Sequence, residues 1–173
     1  MHSTEWDSTK VIAHTKTDRE ELCGKLKIPD NIYDPIFALT TSLVSAQELG
    51  DTSACWVLYN ELRTFCDQQS EAGIVHPFLW ETLADFTRDD RIAIDLYKKA
   101  LTCATSPAAG CYLASIYLAL AERHQLVGES SLALDYALRA DDEAKVIDDF
   151  NLRRQVSEFL LELGMHRRMD GPK

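Results

Sequence analysis

Two stretches of this chain, RIAIDLYKKAL at 91–101 and SLALDYALRA at 131–140, put small residues where one helix meets another. With 3.6 residues per turn, Ala93, Leu96, Tyr97, Ala100 and Ala104 share one side of the first, while Asp95 and Lys99 point away from it. Leu132, Ala133, Tyr136, Ala137 and Ala140 form the matching face of the second. Alanine faces let helix backbones approach closely, and a tyrosine fills the gap that remains. A chain patterned this way packs helix on helix. Few segments alternate apolar and polar residues with period two, which argues against a sheet. The expected fold class is all-α, and 173 residues with 46% apolar content suffice for one domain with a core.

The remaining helices follow from caps and breaks. Thr17-Asp18-Arg19-Glu20 fits a capping box and predicts a short helix over about 18–26. Asp34-Pro35 reads as a cap followed by a first-turn proline, opening a helix to Leu49. Thr52 is expected to cap the next, over about 54–68, with the stripe Cys55, Leu58, Tyr59, Leu62, Phe65, Cys66 and with Trp56 at its flank. His76-Pro77 and Ser106-Pro107 repeat the cap-then-proline signal. The first opens a helix in which Leu79, Leu83 and Phe86 share a face, and the second a helix through Tyr112, Ile116 and Leu120 to His124. The last helix begins at Phe150, gathers Leu152, Val156, Phe159, Leu160 and Leu163, and is expected to end at Gly164. Short connections make consecutive helices antiparallel neighbours. The expected architecture is therefore stacked antiparallel helical hairpins over residues 17–164, between a flexible tail at 1–16 and a basic tail at 165–173. An irregular helical bundle is the alternative.

Three segments resemble tetratricopeptide repeats, helix–turn–helix units with small and aromatic residues at set places. AQELGDTSACWVLYNEL carries a Leu-Gly-Asp turn, then Cys55 and Tyr59. LADFTRDDRIAIDLYKKAL carries Leu83, Ala84 and Phe86, then Ala93, Tyr97 and Ala100. YLASIYLALAERHQLVGESSLALDYALRA carries Leu113, Ala114 and Tyr117, then Ala133, Tyr136 and Ala140, and VSEFLLELG resembles the first helix of a further unit. The resemblance spans residues 35–163. Its spacing is irregular: LADF and LASI start 30 residues apart, AIDL and ALDY 40 apart. What it implies is a helical-hairpin superhelix whose first helices line a protein-binding groove.

Charge and motifs narrow the function. A net charge of −10 leaves no basic stripe for nucleic acid and suits a basic protein partner. The five cysteines form no zinc-ligand spacing and read as small buried thiols of a reducing compartment. The polar start and the absence of a long apolar run predict a soluble cytoplasmic protein without a membrane span. The five histidines are scattered, and no hydrolase, P-loop or dinucleotide motif is present, so no catalytic, metal or cofactor residue is expected.

Binding remains. Trp80, Glu81 and Arg88 in one hairpin, and Tyr112, Ser115 and Glu122 in the next, lie off the core faces and are groove candidates. Trp56 is a further candidate anchor. Residues 129–149 hold seven acids against Arg139 and Lys145, which makes Asp141, Asp142 and Glu143 a favoured edge for a basic partner. The expected function is a non-enzymatic domain that masks one dedicated protein. Its sharpest form is an immunity-type protein neutralising a basic toxin, and the alternatives are a helical-repeat chaperone or adaptor of secreted effectors and a homo-oligomeric scaffold.

Overall fold

The computed structural model describes Leu26, residues 28–106 and residues 109–169, with 166–169 by backbone alone. Within them lie seven helices and no strand. In chain order they are α1 (Asp30–Glu48), α2 (Thr52–Glu71), α3 (Pro77–Asp85), α4 (Asp90–Cys103), α5 (Gly110–Leu126), α6 (Ser130–Ala144) and α7 (Phe150–Met169). Consecutive helices pair as the hairpins α1/α2, α3/α4 and α5/α6, and α7 packs on α6. The first helices also touch along the stack, α3 against α5 and α5 against α7. The chain is all-α and built of stacked hairpins. Residues 18–25 of the helix expected over 18–26 fall outside the described residues.

Several helix ends differ from the capping signals. The first helix begins at Asp30, with Pro29 at the cap, and Pro35 lies inside it. An interior proline forgoes one ladder hydrogen bond. Burial outweighs that loss, because Ile28, Ile32, Ile36 and Leu43 form a continuous stripe that needs the earlier start. Asp51, not Thr52, caps α2, its carboxylate accepting from the Ala54 N–H at 2.9 Å. His76 caps α3 as expected, with Nδ1 accepting from the Phe78 N–H at 3.2 Å and Pro77 in the first turn. Ser106-Pro107 does not open α5 directly: Pro107 is outside the described residues, and the α-helix starts at Gly110. Gly164 does not end α7, which continues through it to Met169, so residues 165–169 are helix rather than tail.

Glycine sets the turns of the first and third hairpins. Gly50 and Gly128 sit at φ +68° and +80°, where a Cβ would clash with its own backbone. Each is followed by an N–H reaching back into the preceding helix, Asp51 to the Ala46 carbonyl at 2.9 Å and Glu129 to the His124 carbonyl at 2.8 Å. This closure satisfies carbonyls left over at the helix end and turns the chain back on itself.

The small-residue faces do what their spacing predicts. Ala93, Tyr97 and Ala100 of α4 are fully buried against α3, and Ala133, Ala137, Ala140 and Ala144 form one buried row along α6. That row packs on Ala114, Leu118 and Ala121 of α5 and on Val156 and Leu163 of α7. Leu132, expected on the buried face, is exposed instead. Ala100→Leu is expected to lower stability by about 1–3 kcal/mol, because the closed site must expand for three extra carbons; chemical denaturation of the variant measures it.

Polar ties cross between elements. The Tyr97 hydroxyl donates to Asp85 Oδ1 at 2.6 Å, and burial, reinforced by that carboxylate, raises its pKa well above the usual value. Tyr59 Oη and Thr87 Oγ1 lie 2.9 Å apart, linking α2 to the α3–α4 turn. Arg123 on α5 donates to Asp90 Oδ1 on α4 at 2.5 Å. Glu129, in the α5–α6 turn, meets His124 Nδ1 at 2.6 Å and Arg91 of α4 at 3.3 Å.

The hydrogen bond from His124, helped by Arg91, holds the Glu129 carboxyl below the usual range. A lowered carboxylate adds stability above its unfolded pKa, about 4.3, and that increment disappears as pH falls through the lowered value. Glu129→Gln is therefore expected to melt below the parent at neutral pH. The two melting temperatures should converge as pH falls below the unfolded pKa and through the lowered one, as thermal scans across acidic pH would record.

Candidate binding site

Helix α2 has two unlike faces. Cys55, Leu62 and Cys66 turn inward and are buried. Trp56, Asn60, Thr64 and Gln68 recur every four residues on the other side, with Val57, Glu61 and Phe65 beside them. Together with Leu39 of α1, these residues line an open cleft of about 460 Å³. Two of its polar side chains are drawn back onto the helix. Asn60 Nδ2 donates to the Trp56 carbonyl at 2.6 Å, and Thr64 Oγ1 donates to the Asn60 carbonyl at 2.8 Å. Leu39, Trp56, Val57 and Phe65 make its apolar wall, Glu61 and Gln68 add polar groups, and Trp56 keeps 70% of its surface in solvent. One exposed apolar residue needs no explanation, whereas an exposed indole beside an apolar cleft marks a candidate interface.

The hairpin that carries the cleft is acidic. Asp30, Asp34, Glu48, Asp51, Glu61, Asp67 and Glu71 are all exposed, against the single cation Arg63. Arg63 lies 4.0 Å from Asp67, one turn away. The C-terminal edge carries comparable charge but answers more of it internally. Lys145 bridges Asp141 at 2.8 Å and Asp142 at 3.0 Å, and these two hydrogen bonds, Asp141 first, raise the lysine pKa. Arg139 pairs with Asp135 at 3.1 Å, and Asp149 accepts the Leu152 N–H at the start of α7.

Of the residues singled out in the sequence, Trp56 alone lines this cleft. Trp80, Glu81 and Tyr112, expected off the core faces, are buried. The reason is the position of α3 in the stack. From Pro77 to Ala84 every residue is buried, so the helix has no spare face. Lys99 of α4 covers the Trp80 ring, its Nζ 3.2 Å from the centroid, and Ser115 of α5 donates to Glu81 Oε1 at 2.5 Å. Tyr112 packs edge-on against His76, with ring centroids 5.5 Å apart. Arg88 is exposed between α3 and α4, and Ser115 and Glu122 are half-buried on α5. On α6, Asp142 is exposed, whereas Asp141 and Glu143 are half-buried. Sequence reasoning missed Val57, Asn60, Glu61, Thr64 and Gln68; their signal was the four-residue step that starts at Trp56, on the side away from the apolar stripe.

Two of the thiols are poorly placed to act as nucleophiles. Burial, with Asp67 nearby, pushes the Cys66 thiol up to about 12, and burial also raises Cys103, so neither supplies a thiolate at neutral pH. Cys55 and Cys66 are buried thiols as expected, but Cys111 departs from that reading because it is disulfide-bonded. Among the described residues no group of three or more His, Cys, Asp or Glu could hold a metal ion, and no helix is long and apolar enough to cross a membrane. Compared with known protein families, characterised proteins and solved structures, the chain matches none.

Proposed function

We propose that this chain is a non-enzymatic protein-binding domain that masks one dedicated protein partner, in its most specific form an immunity-type protein neutralising a basic toxin. The observation that carries this reading is Trp56, exposed over an apolar cleft on the outer side of a packed hairpin. Large rigid side chains in such positions supply most of the energy in protein interfaces. The acidic hairpin around it adds long-range attraction for a basic partner and speeds the encounter. The irregular tetratricopeptide-like arrangement belongs to the same proposal, since stacked hairpins offer a firm surface without a reaction centre.

Affinity capture from the native host tests it. The expected result is one basic protein at 1:1 stoichiometry whose own activity is blocked by the purified chain. Recovery of several amphipathic secretion substrates would replace the immunity reading with the chaperone one. A homo-oligomeric scaffold is favoured by one specific feature, the outward face of α7, where Leu161 and Met165 are 68% and 57% exposed. A monomer by light scattering would dismiss it. The cytoplasmic setting meets one counter-observation, the disulfide at Cys111, because disulfides persist in oxidising compartments. Thiol titration of freshly extracted protein decides between the two settings.

A further inference from the structure

We propose that the occupant of the Trp56 cleft is a cationic amphipathic helix of a second protein, laid along α2 with its apolar side chains between Leu39 and Trp56 and its lysines or arginines toward Glu61 and the other exposed carboxylates of the same hairpin. This inference rests on the protein-binding reading above and names the chemistry of the segment bound.

The shape argues for a rod. From Trp56 to Gln68 the wall follows α2 for more than three turns, about 18 Å at 1.5 Å per residue, which matches a helix of about a dozen residues. The chemistry of the walls argues for packing rather than hydrogen bonding. No strand edge is present in α1 or α2, and Asn60 Nδ2 and Thr64 Oγ1 are engaged with their own helix. Recognition by strand addition is thereby excluded, and apolar anchors spaced three and four residues apart fit instead.

The charge argues for a cation. Seven exposed carboxylates on the first hairpin, turn included, stand against one arginine, and Asp67 lies 4.0 Å from that arginine. The same imbalance argues against a second copy of this chain, because two such hairpins placed face to face would repel.

The test uses the full chain, labelled with ¹⁵N, and three synthetic peptides of about fourteen residues. One carries leucine and lysine in helical register, the second replaces every lysine with glutamate, and the third scrambles the register of the first. The Trp56 indole N–H resonance, assigned from the Trp56→Phe spectrum, is the readout. The lysine peptide in register is expected to shift that resonance and to bind at least tenfold more tightly than either of the others. Its affinity should weaken at least tenfold on Trp56→Ala or Glu61→Lys, and fall as salt rises. A Trp56 resonance unmoved by the lysine peptide, or equal affinities for the three peptides, would overturn the inference. So would a dimer of the chain that dissolves on Trp56→Ala, since the second copy would then be the occupant. If the peptides fail while the captured natural partner still requires Trp56, the cationic helix falls and the cleft stands. If the natural partner ignores Trp56, the cleft itself is the wrong surface.

Discussion

Trp80→Ala is expected to lower stability by about 3–5 kcal/mol, the range for removing a large aromatic side chain from a packed core. Trp80 is 2% exposed, sits in a helix with no spare face and is covered by Lys99. For a domain of this size the loss corresponds to a drop in melting temperature on the order of 10 °C. Trp56→Ala is expected to cost less than about 1 kcal/mol, as for most exposed positions. The contrast matters because both tryptophans were candidates for the same role. A chain that tolerated Trp80→Ala but unfolded on Trp56→Ala would have its core and its surface assigned the wrong way round. Denaturant titrations of the two variants, followed by circular dichroism, separate these outcomes.

A loss of about 3 kcal/mol is expected for Asp90→Ala. Arg123 is 1% exposed, and its guanidinium donates to Asp90 across the interface between the second and third hairpins. Removing one partner of a buried ion pair weakens the compensation of the other charge, at a cost of up to about 3–5 kcal/mol. The low end applies because the Asp90 side chain is 31% exposed and water moderates the loss. Adding Arg123→Met should recover part of it, since an apolar side chain can occupy the same space without a charge to satisfy. The measurement is again denaturant stability, compared across the single and double variants. No loss on Asp90→Ala would mean that the pair does not lock the two hairpins.

How much of this was legible depended on the range of the interaction. The buried rows of α4 and α6 could be read because a helix face is a local property, set by residues three and four apart. The glycine turn at 50 and the His76-Pro77 cap were readable for the same reason. The start of α1 was not, because the local signal at Asp34-Pro35 lost to the burial of Ile28 and Ile32 against the rest of the stack. Trp80, Glu81 and Tyr112 were placed outside the core for a related reason. Periodicity assumes one buried face per helix, and α3 is enclosed on every side by neighbours that local spacing does not reveal. The pairing of Arg123 with Asp90, and of Ser115 with Glu81, joins residues 33 and 34 positions apart and leaves no local trace. Trp56 was readable as a flank residue. The cleft beside it was not, because Leu39 comes from another helix. The charge at 129–149 pointed to one edge, and ion pairs within that edge shift the emphasis to the first hairpin.

The most direct measurement of the central claim is a calorimetric titration of the captured partner into the parent chain and into Trp56→Ala. Exposure of Trp56 over an apolar cleft on an acidic hairpin predicts at least a tenfold weaker Kd for the variant, about 1.4 kcal/mol or more, with a melting temperature within a few degrees of the parent's. Equal Kd values for the two chains would contradict it.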